Sequence, residues 1–267
     1  MTVTWHVDDI KVSQKEPFEI TKFAHCLSLQ YDKKLAAKRG KVNDYLHMDL
    51  KYSTKGAVKV SIMNYLKNVE DEFPIEIIGT AKSPACEHLF QADEDDDKQK
   101  HYLDTTRAIQ CHRVTAQLLF ASRRAHQDIQ TTLSFLTSHF KKPDEDDWGK
   151  LVRCMKYLKG TKYMKLNLTV DNMSVIKWWM DASHNTHMDR QGHTGAMMNL
   201  GKGASINHYG KHKLNTKSYT ESELVGADDM LVKVLWVLYF IQAQGYTVDQ
   251  NIMYQNSMTT IRSACAM

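Results

Sequence analysis

The sequence predicts a mixed fold of the α+β or α/β class. Three observations predict it. Short β-prone runs bounded by turn residues open the chain. A long middle stretch repeats apolar residues at helical spacing. Glycine-punctuated strands then lead into a final long helix. The 267 residues have room for two domains of ~100–150 residues each. A content of 42% hydrophobic and 25% charged residues is that of a globular chain able to bury a core. The net charge of +4 does not demand a polyanionic partner, yet local basic faces can hide behind such an average. Cys26, Cys86, Cys111, Cys154 and Cys265 are odd in number and scattered, which fits reduced thiols in an intracellular protein. Met1 to His6 lacks the basic and apolar regions of a signal peptide. The most apolar run, Val234 to Ile241, falls well short of the ~20 residues of a membrane span and reads as buried helix.

Thr2 to His6 and Ile10 to Ser13 flank Asp8-Asp9, predicting a hairpin with acids at its tip. Neighbouring strand residues face opposite ways, so only one of the pair would lead in holding a metal. A solvated turn is the alternative. Glu16 to Ala37 reads as a helix with Pro17 in its first turn and Phe18, Phe23, Leu27 and Leu35 as apolar points. Lys33, Lys34, Lys38, Arg39 and Lys41 form a basic run, either a solvated face or a phosphate contact. Tyr45 to Tyr52 alternates like a strand, Ser53 to Gly56 is a turn, and Ala57 to Ile62 is the returning strand. Asn64 to Val69 is a short helix.

A linker begins at Thr80 and runs into Asp93-Glu94-Asp95-Asp96-Asp97, an exposed acidic loop without the glycine and spacing of a calcium loop. From Lys100 to Leu136 the pattern is helical, with Val114, Leu118, Leu119 and Ala121 on one face and Ile129, Leu133 and Leu136 on another. Acids from Asp144 to Asp147 open the next helix, as the helix dipole favours. Its buried stripe is Leu151, Cys154, Met155 and Leu158, and Gly160 ends it. Tyr163 to Val170 is a strand.

The region from Asp171 onward concentrates the candidate chemistry. Trp178-Trp179-Met180 is strand-like and ends in Asp181-Ala182-Ser183, and glycine-bounded strands follow around Gly192 to Met198 and Gly201 to Ile206. Thr220 and Glu223 have capping-box spacing at the start of a helix running to about Gln244, with Leu224, Leu231, Leu235, Leu238 and Ile241 on its buried side. Asn251 to Gln255 is a last strand, and Thr259 to Ile261 starts a short helix. An acid at a strand end and an acid in a first helical turn is how a two-metal nuclease delivers its carboxylates. The plainer readings are a turn acid for Asp181 and a helix cap for Glu223. His184, His187 and His193 form the nearest histidine cluster, on a predicted loop, and are not read as a zinc site.

Several motifs stand in a telling order. Trp5-His6-Val7-Asp8-Asp9 is similar to a Tyr-Val-Asp-Asp box, with His6 where tyrosine is usual. Tyr45 to Leu50 is similar to a primer-gripping hairpin, with His47 where glycine is expected. Gln117 to Arg123 with Asp128-Ile129, then Trp148 through Tyr157-Leu158-Lys159-Gly160-Thr161, follow. Asp181-Ala182-Ser183 and Thr220-Glu221-Ser222-Glu223-Leu224 complete the order. Together they resemble the C-terminal part of the pol polyprotein of copia-type LTR retrotransposons, from the end of the reverse transcriptase through most of the RNase H domain.

The resemblance implies a reverse-transcriptase palm remnant over residues 1–79, a helical thumb and connection segment over 80–170, and a C-terminally truncated RNase H-like domain over 171–267. It implies RNA-directed DNA synthesis and cleavage of the RNA strand of an RNA/DNA hybrid, each with two Mg²⁺ ions about 3.5–4 Å apart on Asp and Glu oxygens. Asp8 and Asp9 would serve the polymerase, with an aspartate from an earlier strand and the fingers upstream of residue 1. Asp181 and Glu223 would serve the nuclease, Glu223 being chosen over Glu221 because it precedes Leu224-Val225. The third acidic position falls on Asn256, which carries no charge, and the fourth would lie beyond Met267. The expectation is therefore a catalytically incomplete fragment with little Mg²⁺ bound. The alternative is a module that holds duplex or hybrid without cutting it, using Lys202, Lys211, Lys213, Lys217, Arg123 and Arg124. Expected partners are RNA/DNA hybrid or DNA and the upstream pol segments, with no membrane. The expected place is cytoplasm or nucleus, or a virus-like particle for an intact element.

Overall fold

The computed structural model describes residues 1–31, 35, 37–54, 56–87, 89–90, 101–187 and 189–265. The acidic run Asp93 to Asp97, and Lys33 and Lys34 of the basic run, lie outside the described residues. Strands β1 (Thr2–His6) and β2 (Asp9–Ser13) form a separate two-stranded sheet with His6 paired to Asp9, so Val7 and Asp8 make the turn. Helix α1 (Pro17–Gln30) buries none of its residues. It ends at Gln30 with Tyr31 as its cap, and residues 32–34 and 36 of the predicted Glu16–Ala37 helix lie outside the described residues.

A four-stranded antiparallel sheet follows in the order β3 (Val42–Tyr45), β4 (Met48–Thr54), β5 (Ala57–Ser61) and β6 (Leu166–Thr169). The single strand predicted over Tyr45 to Tyr52 is a tight hairpin. Leu46 and His47 turn the chain with φ of +49° and +60°. Two left-handed residues are what the twist of a two-residue hairpin requires, and glycine or asparagine is their usual sequence signal. Neither is present, so the alternation reads as one strand, whereas the hairpin implied by the resemblance over Tyr45 to Leu50 is the one formed. His47 rests near the rings of Tyr65 and Phe120.

Helices α2 (Met63–Asp71), α3 (Thr105–Ser122), α4 (Gln130–Ser138) and α5 (Glu145–Thr161) build the larger core around Leu66, Leu118, Ile129, Leu133, Leu151 and Leu158. The helix predicted from Lys100 to Leu136 is interrupted. The amides of Ala125 and His126 both turn back to the Ala121 carbonyl, and a 3-10 turn over Gln127–Ile129 leads into α4. A straight helix over these residues would reach ~50 Å at 1.5 Å per residue, longer than one core of this size can cover. The break folds both apolar stripes onto the same core. Asp144 and Asp147 exchange backbone-to-carboxylate hydrogen bonds at the start of α5. That helix runs one residue past Gly160.

The second four-stranded sheet has the order β10 (Gln250–Tyr254), β7 (Val175–Ser183), β8 (His193–Asn199) and β9 (Ile206–Lys211). Strand β10 is parallel to β7; the other pairs are antiparallel. Residues 201–205 are turn rather than strand. Helix α6 (Tyr219–Ala243) packs on Ile176, Trp178 and Met180 through Met230, Val234, Val237 and Ile241. This corrects the predicted face: Leu231 and Leu235 are exposed, and with Val232, Trp236, Tyr239 and Phe240 they form an outward apolar stripe. The helix is apolar on several sides, so periodicity alone left its rotation open. Gly226 decides it, because its missing side chain lets α6 approach Ala182 and Thr194. A short helix α7 (Met258–Cys265) closes the described chain.

A Cβ at Gly226 would lie 3.2 Å from both Ala182 Cβ and Thr194 Oγ1. Gly226→Leu is expected to lower the urea midpoint by the equivalent of about 1–3 kcal/mol through overpacking. Gly226→Ala should stay near neutral, since the gain in helix propensity of about 1 kcal/mol offsets the tight contact.

Candidate functional site

The parallel register of β10 and β7 pairs Tyr254 with Trp179, so Gln255 and Asn256 emerge beside Asp181. Helix α6 contributes Glu223 from its first turns. Its N-cap is Ser218, whose hydroxyl accepts from the Glu221 amide at 3.2 Å, while the Lys217 amide donates to the Glu221 carboxylate at 2.7 Å. This corrects the predicted Thr220–Glu223 capping box. Ser218 has the extended backbone a cap needs, and Thr220 is already helical. Glu221 therefore serves the helix end, and Glu223, 7% exposed, faces the sheet.

The Gln255 side-chain amide donates to Glu223 at 2.9 Å, and the Asn256 amide donates to Asp181 at 3.2 Å. Burial raises the Glu223 pKa, opposed by the hydrogen bonds from Gln255 and the Ala182 amide and reinforced by the charge of Asp181. The two carboxylates thus sit together, each with an amide N–H aimed at it. A pair of Mg²⁺ ions needs several hard anionic oxygens whose lone pairs point at the ions. Here two carboxylates already accept from amides, and no group of three His, Cys, Asp or Glu among the described residues could hold a metal. The residues present do not fit a two-ion centre.

Asp181 and Asn256 open onto a cleft of about 860 Å³ between the sheet face opposite α6 and the α4 side of the helical core. Trp179 and Tyr254 stack on its floor with ring centroids 5.3 Å apart, and Tyr209 lies on the same wall. Gln255 and the opposite wall of Gln127, Gln130 and Thr131 were not singled out from sequence. Gln255 was reachable from its place beside Asn256. The opposite wall had no local signal, since chain folding alone brings it there.

The histidines divide. His187 Nε2 and His193 Nδ1 are 3.0 Å apart, and Phe90 packs edge-on against His187. His184 is held elsewhere, by Thr216 and Ser222 at 3.0 and 3.1 Å. Burial, then the nearby Lys211 charge, pushes His187 down to about 4, and burial with His187 as neighbour pushes His193 down to about 3.

The other predicted site residues do not form one patch. Asp8 and Asp9 sit exposed at the β1–β2 turn. Lys211, Lys213 and Lys217 lie at the end of the sheet that carries Asp181 and Ser183, whereas Lys202 lies in the β8–β9 turn at the opposite end. Lys211 pairs with Asp189 at 2.5 Å. Arg123 is exposed. Arg124 turns inward, its guanidinium 3.3 Å from the Phe120 ring centroid and donating to the Phe120 carbonyl at 3.1 Å, so it is not presented to a phosphate.

No protein-family model matches the chain. The chain is 24% identical over 233 residues to the transposon Ty5-1 protein of Saccharomyces cerevisiae, covering 86% of this chain and 72% of that protein. The chain is similar to a transposon protein. Its fold is similar to a foamy viral protease-reverse transcriptase dRH solved in complex with double-stranded DNA, with a TM-score of 0.52 and 11% identity. That alignment covers 98% of this chain but 40% of the solved chain, so this chain spans less than half of the viral protein. No described helix is long and apolar enough to cross a membrane.

His187 and His193 have folded pKa values below the unfolded value of about 6.5, so the folded state prefers them neutral. Their contribution to stability is complete above about pH 6.5 and is lost as pH falls toward 4 and then 3, because the unfolded chain binds protons the fold resists. The urea midpoint should fall between about pH 7 and pH 4.5, and His187→Asn should flatten that fall. A pH-independent midpoint across this range would contradict the buried neutral pair.

Proposed function

We propose that this chain is a pol-derived segment of a copia-type retrotransposon that keeps the nucleic-acid-holding architecture of a reverse transcriptase and its ribonuclease H and has lost most of the chemistry. In this reading residues 1–79 are a palm remnant, 80–170 a thumb and connection segment, and 171–267 an RNase H-like domain. Support comes from the likeness to the Ty5-1 protein and from the fold shared with a reverse transcriptase.

One observation carries the catalytic part of the reading. Asp181 and Glu223 converge from β7 and α6, and the positions beside them are Gln255 and Asn256. Carboxylates in those neighbouring places would repel Asp181 and Glu223 and demand cations. Amides satisfy them by donating hydrogen bonds, so the site is stable with no ion. An Mg²⁺ pair, where bound in the family, activates water for attack on the RNA backbone. This site lacks the negative charge for that role. The cleft still offers an aromatic floor, and the exposed Lys213 and Lys217 stand at the same sheet end. These groups suit holding an RNA/DNA hybrid or DNA without cutting it. Asp8 and Asp9 stand exposed at the β1–β2 turn, and among the described residues they belong to no group of three acids, histidines or cysteines that could hold a metal.

A labelled RNA/DNA hybrid incubated with the protein and Mg²⁺ should remain uncut while still being bound. Asn256→Asp should restore only partial cleavage, since it returns a single carboxylate. Efficient cutting by the unaltered protein would refute the loss of chemistry. A primed template with nucleotides and Mg²⁺ should likewise show no template-dependent incorporation; any such synthesis would overturn the reading of Asp8 and Asp9 as exposed turn acids without a metal site.

A further inference from the structure

Helix α5 treats its cations unequally. Lys150 pairs with Asp146 at 2.7 Å, Lys159 lies 3.9 Å from Glu70, and Lys162 at the helix cap pairs with Glu70 at 2.5 Å. Arg153 and Lys156 have no acidic partner among the described residues. Gly149, Val152, Arg153 and Lys156 follow i, i+3, i+4, i+7 spacing and so share one helix face. That face lines an open groove of about 420 Å³ whose other side is Thr80, Ala81 and Lys82. Three of the groove's side chains are cationic and none is acidic. Arg153 is partly fixed, its guanidinium donating to Ser83 Oγ at 3.0 Å, while its buried Nε has no partner. Gly149 leaves the wall open, since a Cβ there would meet nothing within 4 Å.

Three gathered cations repel one another, and a buried guanidinium N–H without an acceptor is costly. An anion with several acceptor oxygens relieves the repulsion among the three cations. We propose that this groove is a phosphate-binding site, with Arg153 and Lys156 as anchors and Lys82 closing over the ligand, and that the phosphate belongs to a nucleic-acid backbone. The site is separate from Asp181 and Glu223. It rests on the nucleic-acid reading only for the source of the phosphate, because a free triphosphate offers the same chemistry.

Gly149→Ala and Gly149→Glu separate fold from charge. Alanine fits the open wall, whereas glutamate places a carboxylate among the three cations. Duplex DNA binding would be followed by fluorescence anisotropy across salt concentrations, and melting would be followed with sodium triphosphate. Each lost phosphate contact lowers the slope of log affinity against log salt by about 0.9. The Arg153→Gln, Lys156→Gln double variant is expected to lose about two such units of slope, and Gly149→Glu to weaken binding at low salt by about tenfold or more. Gly149→Ala should bind as the unaltered protein does. Lost triphosphate stabilisation with an unchanged DNA slope would overturn the backbone source and assign the groove to free polyphosphate. If the folded variants match the parent in both assays, the site is refuted. Absence of DNA binding by the parent would sink the nucleic-acid reading, while the triphosphate arm would still test the groove.

Discussion

The parallel pairing of β10 with β7 is the constraint on which the rest of the site depends. Parallel neighbours cannot be joined by a tight turn, so the chain must leave β9, cross over and return. Helix α6 is the main element of that return, and it carries Glu223 to the strand end where Asp181 stands. The register of the same pair then sets Gln255 and Asn256 beside the two acids. A one-residue slip would turn Tyr254 away from Trp179 and remove both amides from their partners. The hydrogen bonds at the site are thus a product of the sheet as much as of the residues that make them.

Much of this was legible in the sequence, for identifiable reasons. The α5 stripe of Leu151, Cys154, Met155 and Leu158 is buried as its spacing required. The β1–β2 hairpin and the strand carrying Asp181 follow from β-prone runs bounded by turn residues. What failed shares one cause: several local solutions satisfied the same pattern. Ser218, Thr220 and Glu221 all sit near the start of α6, and only the backbone turn at Ser218 selects the cap. Helix α6 carries leucines on two sides, and its rotation is decided by close approach at Gly226, a property of the sheet beneath it. The break between α3 and α4 has no proline or glycine to announce it. Leu46 and His47 hold left-handed backbone without the residues that normally signal it.

The site and the groove on α5 show opposite ways of handling charge. At Asp181 and Glu223, like charges are brought together and each accepts a hydrogen bond from a neutral amide. Along α5, acids stand against Lys150, Lys159 and Lys162, whereas among the described residues Arg153 and Lys156 have none. Both arrangements are local choices of side chain on the same scaffold. They alter what the scaffold attracts without altering its topology.

The β1–β2 hairpin stands apart from both larger sheets, and α1 beside it in sequence buries no residue. An isolated pair of strands is marginal in water, whereas the two cores are held by many interlocked side chains. The molecule therefore has unequal cooperativity along its length. Its first thirty or so residues constitute a low-energy opening unit, with amides that trade hydrogen for deuterium early and peptide bonds that a protease reaches long before either core unfolds.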